Sequence, residues 1–215
     1  MGLQYAIHDD VFDPALVGAW TKHVAPKLKP ATVLSSHTGE RTRGTTREAE
    51  MYFVRAEGSP PLMELERQLD ETLGQDNAQG EDWQFVRYGV GGHYAGHFDW
   101  FAPKVLERPD VARAGQRTWT ALFYLVAPAR GGETRFPLLD LNVTPKVGRM
   151  LLWNNLDEAG KPNPWAFHEA LPVLEGEKWI MTRWYREKCF QTIRNTPHIS
   201  SNVPATSREA SPATV

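Results

Sequence analysis

Apolar residues recur along the chain at two spacings, helical before residue 80 and alternating after it. Asp13-Pro14 reads as the cap and first position of a helix in which Leu16, Trp20, His23, Val24 and Leu28 fall near a 3.6-residue period, with Pro26 distorting its far end. Ser59-Pro60-Pro61 opens a second helix, with Leu62, Leu65, Leu69 and Leu73 on one face and Gly74 placed to end it. Between them, Ser35 to Glu50 is polar and carries Arg41, Arg43 and Arg47 among Thr and Gly. It reads as a mobile surface loop leading into a strand over Met51 to Val54.

Beyond the turn residues Asp76 to Gly80, the pattern predicts strands over Trp83 to Val90, Tyr94 to Trp100, Thr118 to Val126, Gly132 to Phe136, Met150 to Trp153, Ala166 to Leu174 and Lys178 to Arg186. Many short strands punctuated by Gly, Pro, Asn or Asp argue for a sandwich or a closed barrel. Thr192 to Val215 is Ser/Thr/Pro-rich and aperiodic. The expected organisation is one domain over 1–190, with helical support over 10–80 and a β core over 81–190, followed by a flexible tail over 191–215.

Composition narrows the class without naming a chemistry. Of 215 residues, 41% are hydrophobic and 23% charged, which suits a packed globular chain and not a fibrous or wholly disordered one. A net charge of −2 and a pI near 6.4 lack the basic excess that nucleic-acid binding draws on, so no nucleic-acid partner is expected. No apolar run reaches the roughly 18 residues of a membrane span, and the first ten residues lack a signal-peptide pattern. Gly2 does not make a myristoylation site, because Ala6 stands where Ser or Thr is needed. With Cys189 as the only cysteine, a reducing cytoplasm is the expected setting.

The candidate chemistry lies in Tyr94-Ala-Gly-His97-Phe-Asp99-Trp100. On a strand, His97 and Asp99 share a face and could grip a metal together, although one His-x-Asp is also common by chance. A third ligand changes the odds, and two histidines with one carboxylate form the facial set of non-haem Fe(II) oxygenases. His168 is the best third member. His8, His37 and His198 lie in terminal or polar segments, His23 is helical and His93 abuts a Gly-Gly turn. Ten residues after His168, Lys178 shares a strand face with Ile180, Thr182 and Trp184, so if that face is interior the lysine needs an anion. The plainer alternative is that it snorkels at a strand mouth.

Taken together, Tyr88-x-x-Gly91-x-x-Tyr94-x-x-His97-x-Asp99, Arg117-Thr-Trp-Thr-Ala-Leu-Phe-Tyr-Leu125, Gly131-Gly-Glu-Thr-x-Phe-Pro137 and His168 to Lys178-Trp-Ile-x-x-x-Trp184 closely resemble the prolyl 4-hydroxylase family of 2-oxoglutarate and Fe(II)-dependent dioxygenases. The resemblance runs from about Trp83 to Arg186. It implies a mainly β (α+β) chain whose double-stranded β-helix, or jelly-roll, core is backed by N-terminal supporting helices. It implies His97, Asp99 and His168 as iron ligands and Lys178 on the distal carboxylate of 2-oxoglutarate. Tyr88, Tyr124 and Thr134 are the implied donors to that cosubstrate, and Trp184 is a wall of its pocket. Arg117, Trp100 and Arg186 are candidate substrate contacts. Arg117 has the wrong parity relative to Tyr124, and Arg186 stands where the family commonly has His, a departure that bears on peptide binding.

The implied reaction converts 2-oxoglutarate and O2 to succinate and CO2 while an unactivated C–H bond is hydroxylated, with ascorbate as an auxiliary reductant. Asp99 favours hydroxylation over halogenation, because related halogenases lack the carboxylate. The substrate is a peptide, with peptidyl proline as the family type, or a free amino acid or small natural product. Nucleic-acid demethylases of the superfamily resemble the subgroup with Arg in place of the Lys anchor. A non-enzymatic alternative is a metal-binding β-helix recognition module. Trp100, Phe101, Trp119, Trp153 and Trp165 form either a substrate cleft or plain packing, with Ser36 to Arg47 and Phe101 to Gln116 as lids. Nothing in the pattern sets the oligomeric state.

Overall fold

The computed structural model describes residues 2–34, 41–42 and 46–190. Two antiparallel sheets face each other. The larger has seven strands, in spatial order Tyr5–His8, Met150–Asn154, Arg117–Val126, Lys178–Arg186, Trp83–Tyr88, Glu50–Val54 and Lys29–Pro30. The smaller has five, in the order Leu141–Val143, Thr134–Phe136, His168–Ala170, His93–His97 and Arg47–Glu48. Because alternate side chains on a strand point to opposite faces, the large sheet has two different jobs.

Its inner face contributes Val86, Tyr88, Leu122, Tyr124, Leu151, Trp153 and Ile180 to a core shared with Phe136, Val143 and Val173 of the smaller sheet side. Its outer face contributes Phe85, Ala121, Phe123, Leu125, Leu152, Met181 and Tyr185 to a second core against the two helices. The helix Ala15–Val24 turns Trp20 and Val24 inward, and Asp13 caps it through a 2.9 Å bond to the Ala15 amide. The helix Pro60–Leu73 buries Leu62, Leu65 and Leu69, and Gly74 ends it in the left-handed conformation with φ 61°. These helices therefore form where capping and apolar spacing placed them.

One buried polar network fastens the second helix to the sheet. Glu66 accepts from Trp83 Nε1 at 3.0 Å and pairs with Arg183, whose side chain is fully buried. Gly80 makes room for this network, since a Cβ there would lie 2.1 Å from Arg183 Nη2. Tyr185 on the same strand face donates to Asp70 of the helix at 2.7 Å.

The structure differs from the sequence expectation at several places, and it adds the unexpected strands Tyr5–His8, Lys29–Pro30 and Leu141–Val143. Part of the polar 35–50 segment is ordered strand: Arg41–Thr42 pairs with Val33–Leu34, and Arg47–Glu48 joins the small sheet. The remainder, 35–40 and 43–45, lies outside the described residues, as does the tail over 191–215. The expected strand over 166–174 is two, His168–Ala170 and Val173–Glu175, because Leu171-Pro172 breaks the ladder. The strand expected to reach Trp100 ends at His97. Finally, Phe101 to Gln116 is a pinned excursion and not a free lid. Its ends are clamped where Gln116 accepts from the Phe101 amide at 2.6 Å and donates to its carbonyl at 2.9 Å.

Candidate metal and cosubstrate site

His97 and His168 are direct register partners on neighbouring strands of the small sheet, with ring centroids 4.3 Å apart. Asp99 sits just past the end of the His97 strand, so the expectation that the two share one strand face does not hold; the chain bends there and returns the Asp99 carboxylate inward, 7% exposed. Asp99 Oδ1 lies 3.8 Å from His97 Nε2 and Oδ2 lies 3.9 Å from His168 Nε2. All three ligand atoms fall within 4.8 Å of one another, the only such His/Cys/Asp/Glu group among the described residues.

The histidine tautomers follow from the backbone. His97 Nδ1 faces the Ala95 carbonyl and His168 Nδ1 faces the Ala166 carbonyl, each at 2.9 Å. A carbonyl can only accept, so both Nδ1 atoms carry the proton and both Nε2 lone pairs face Asp99. Burial, reinforced by the neighbouring His168, lowers the His97 pKa to about 3 and keeps that ring a neutral donor. Burial alone would raise the Asp99 pKa, but His168, His97, Arg117 and the Trp184 indole N–H outweigh it and lower it. Two imidazoles whose Nε2 atoms face a carboxylate, separated by more than a hydrogen bond, fit a divalent first-row metal.

Two residues missed by sequence reasoning hold the carboxylate. Thr120 Oγ1 donates to Asp99 Oδ2 at 2.8 Å, and Asn155 Nδ2 donates to Thr120 Oγ1 at 2.8 Å. All are buried.

Lys178 settles the question of its face. It is 1% exposed, and its Nζ donates to the Gly132 carbonyl at 2.6 Å, so it does not snorkel to water. Gly132, at φ 77°, has Lys178 Cδ 3.2 Å from where a Cβ would stand, so a side chain there would crowd the lysine stem. Burial, opposed by Glu133, lowers the Lys178 pKa to about 7. Around it gather Tyr88, with Nζ 5.2 Å from the ring centre, and Tyr124, at 5.6 Å. Tyr124 Oη donates to Thr134 Oγ1 at 2.7 Å, which leaves the Thr134 hydroxyl proton to point elsewhere. A buried cation held only by a neutral carbonyl, beside three hydroxyls, fits a ligand carboxylate.

Trp184 lies six residues along its strand from Lys178, near Asp99 and under Arg117, whose guanidinium is 3.8 Å above its ring. It therefore borders the metal candidates and not the lysine. Arg117 does face inward despite its parity. Opposite Tyr185 and Arg186 the register skips Thr118, a β-bulge whose extra residue rotates Arg117 to the interior. There it makes a two-pronged pair with Glu81 at 2.8 Å.

Arg186 is not available as a substrate contact. At 3% exposure, it bonds the Gly115 and Val111 carbonyls and Glu81 Oε1, so its donors are spent on the 101–116 excursion. The aromatic candidates divide likewise. Trp153 is fully buried between Phe136 and His168, and Trp119 packs on the helix side. Trp100 stays half-buried beside Phe98, its Nε1 without a partner, and Trp165 is 37% exposed.

The comparisons with known proteins agree with this geometry. The sequence model of the 2OG-Fe(II) oxygenase superfamily matches residues 83–186. Prolyl 4-hydroxylase subunit alpha-2 of Caenorhabditis elegans is 35% identical over 164 residues, covering 76% of this chain and 30% of the relative. Prolyl 4-hydroxylase subunit alpha-1 of Homo sapiens is 33% identical over 166 residues, with the same coverage of 76% and 30%. The chain thus spans about 30% of the length of these curated relatives. Among solved structures, the viral collagen prolyl hydroxylase of Paramecium Bursaria Chlorella virus-1, in its 2OG complex, superposes with a TM-score of 0.66 at 25% identity, covering 85% of this chain and 95% of that one. A Pseudomonas putida prolyl-4-hydroxylase shares the fold, with a TM-score of 0.59 at 20% identity over 85% and 92% of the two chains. The chain belongs to the prolyl 4-hydroxylase-like 2-oxoglutarate and Fe(II)-dependent oxygenases.

Proposed function

We propose that the protein hydroxylates a prolyl residue in a peptide, with Fe(II) held by His97, Asp99 and His168 and 2-oxoglutarate anchored by Lys178. The observation that carries this reading is that one barrel interior holds both a two-histidine, one-carboxylate group and a buried lysine with no protein anion bonded to it. When bound, the iron supplies the oxidation, in which O2 and the keto acid become succinate and CO2 as one oxygen enters a C–H bond.

The chain's own residues supply position. Three protein ligands leave metal positions open for the keto acid and oxygen. Lys178, with the Tyr88, Tyr124 and Thr134 hydroxyls, fixes the far carboxylate and so the depth at which the keto group sits. Asn155 and Thr120 fix the Asp99 carboxylate plane. Arg117, stacked between Glu81 and Trp184, stands at the mouth where a peptide would enter. We place the protein in a reducing cytoplasm, in line with its single cysteine.

The test is succinate formation by the Fe(II)-loaded protein with and without a proline-containing peptide, followed by mass spectrometry. A peptide-dependent rise with a gain of one oxygen on proline supports the reading. Failure to bind Fe(II) and 2-oxoglutarate at all would sink it.

A further inference from the structure

Resting on the proposed hydroxylase reading, one charged group, which bonds the Tyr88 side chain, has no carboxylate partner among the described residues. Arg47 stands directly opposite Tyr94 in the small sheet, and its guanidinium lies 4.5 Å over the Tyr94 ring. That same ring stacks on His97 at 3.6 Å, which puts Arg47 one aromatic layer from the metal candidates. Its Nη2 donates to the amide oxygen of Gln84 at 3.1 Å. Its Nε is buried and has no hydrogen-bond partner. No carboxylate among the described residues pairs with it, and Glu48 beside it projects to the other strand face.

The carboxylates nearby are engaged elsewhere. Arg117 and Arg186 already share Glu81, Asp99 belongs to the metal group, and Glu187 is turned to the Gln116 amide. A partly buried guanidinium with an empty donor and no carboxylate partner among the described residues is a site for an anion.

We infer that Arg47 is a specificity-determining residue that reads a carboxylate on the prime substrate, so that the preferred substrate carries an acidic group close to the carbon that is oxidised. The carboxylate belongs either to an Asp or Glu side chain beside the target residue or to the α-carboxylate of a free amino acid, and one experiment separates them.

Two probe pairs are compared on the Fe(II) and 2-oxoglutarate-loaded wild-type protein. One is an N-acetylated, C-amidated pentapeptide with a central proline flanked by Glu or by Gln; the other is L-proline against L-prolinamide. The carboxylate member of one pair should show a KM about tenfold lower than its neutral partner, the size of a charge-assisted contact of moderate burial. The pair that shows the preference identifies the source of the carboxylate. Arg47→Gln should bring the ratio to near one, and Arg47→Lys should keep part of it. In the wild type the ratio should also shrink as salt rises, a readout that holds even if the Arg47 variants fail to fold. A wild-type ratio near one in both pairs, no binding of any probe, or a preference that survives Arg47→Gln overturns the inference. So does an Arg47→Gln effect confined to the KM for 2-oxoglutarate. Absence of metal and keto-acid binding in the wild type would instead overturn the hydroxylase reading itself.

Discussion

Lys178 lies directly opposite Tyr88 on neighbouring strands, with its Nζ 5.2 Å from the ring centre and its one hydrogen bond made to the neutral carbonyl of Gly132. The lysine is therefore charged inside the barrel at a cost that a bound carboxylate removes.

That cost makes keto-acid binding pH-dependent. The Lys178 pKa in the empty site is lowered by burial to about 7, and an anion beside it raises it again. Below pH 7 the lysine is already charged and affinity for 2-oxoglutarate should be flat. Above it, binding must also take up a proton, so the Kd should rise about tenfold per pH unit until the pKa of the complex is reached. Isothermal titration from pH 6 to 9 checks this, and a flat profile would show that Lys178 is not the anchor. The same shift acts on folding with the sign of a depressed lysine. Without keto acid its destabilising contribution is full below pH 7 and fades as pH rises toward the unfolded value of about 10.4. Lys178→Ala should raise the KM for 2-oxoglutarate by a factor on the order of 30 or more, since loss of a buried charge partner costs about 2–5 kcal/mol.

Replacing His168 or His97 with Ala should abolish stoichiometric Fe(II) binding and with it 2-oxoglutarate turnover, because each supplies one of only three donors. Metal analysis after desalting under anaerobic conditions is the check. Retention of one iron per chain in His168→Ala would mean that the third ligand lies elsewhere.

Thr120→Val should weaken the metal without touching a ligand. It removes the hydroxyl that donates to Asp99 Oδ2 and strands the Asn155 amide. Loss of such an orienting partner typically costs 10- to 100-fold in metal affinity, by order of magnitude. Thr120→Ser should recover most of it. Equal affinities for Val and wild type, measured by chelator competition, would show that the Asp99 carboxylate needs no support.

The helix-to-sheet network gives a stability prediction remote from the site. Glu66→Ala takes the carboxylate from fully buried Arg183 and from Trp83 Nε1, a change that should cost about 3–5 kcal/mol. At roughly 2–4 °C per kcal/mol for a chain of this size, the Tm should fall by on the order of 10 °C. Replacing both partners, Glu66→Leu with Arg183→Met, should recover part of the loss. A Tm drop under about 2 °C for Glu66→Ala would contradict the role given to this pair.

The features that were legible in the sequence are those set by local period and spacing. Capping residues and apolar spacing marked both helices, and strand parity put Lys178 on one face with Ile180, Thr182 and Trp184 while leaving open whether that face was interior. His97, Asp99 and His168 converge because their strands are neighbours, and their order along the chain hinted at that. What escaped was set by long-range pairing. Arg47 looked like loop because its segment is polar and lacks an apolar period, yet it is ordered by pairing with a strand some 47 residues away in sequence. Asn155 sits in a connection and acts through Thr120, a link that no period encodes. Arg186 was misread because its neighbours in the chain give no sign that Val111 and Gly115 carbonyls will close on it.

The bulge at Thr118 has a consequence for how such a mouth can change over time. Along a regular strand, sidedness is a fixed phase, and exchanging an inward residue for an outward one requires rewriting both. The skipped residue makes the last turn of the strand a separate phase, so removing one residue there would swing Arg117 from the cavity to the outer surface while Thr120, Leu122 and Tyr124 stay where they are. A single insertion or deletion there would thus change which side chain reaches the cavity beside Trp184 without shifting the strand that carries Thr120 and Tyr124.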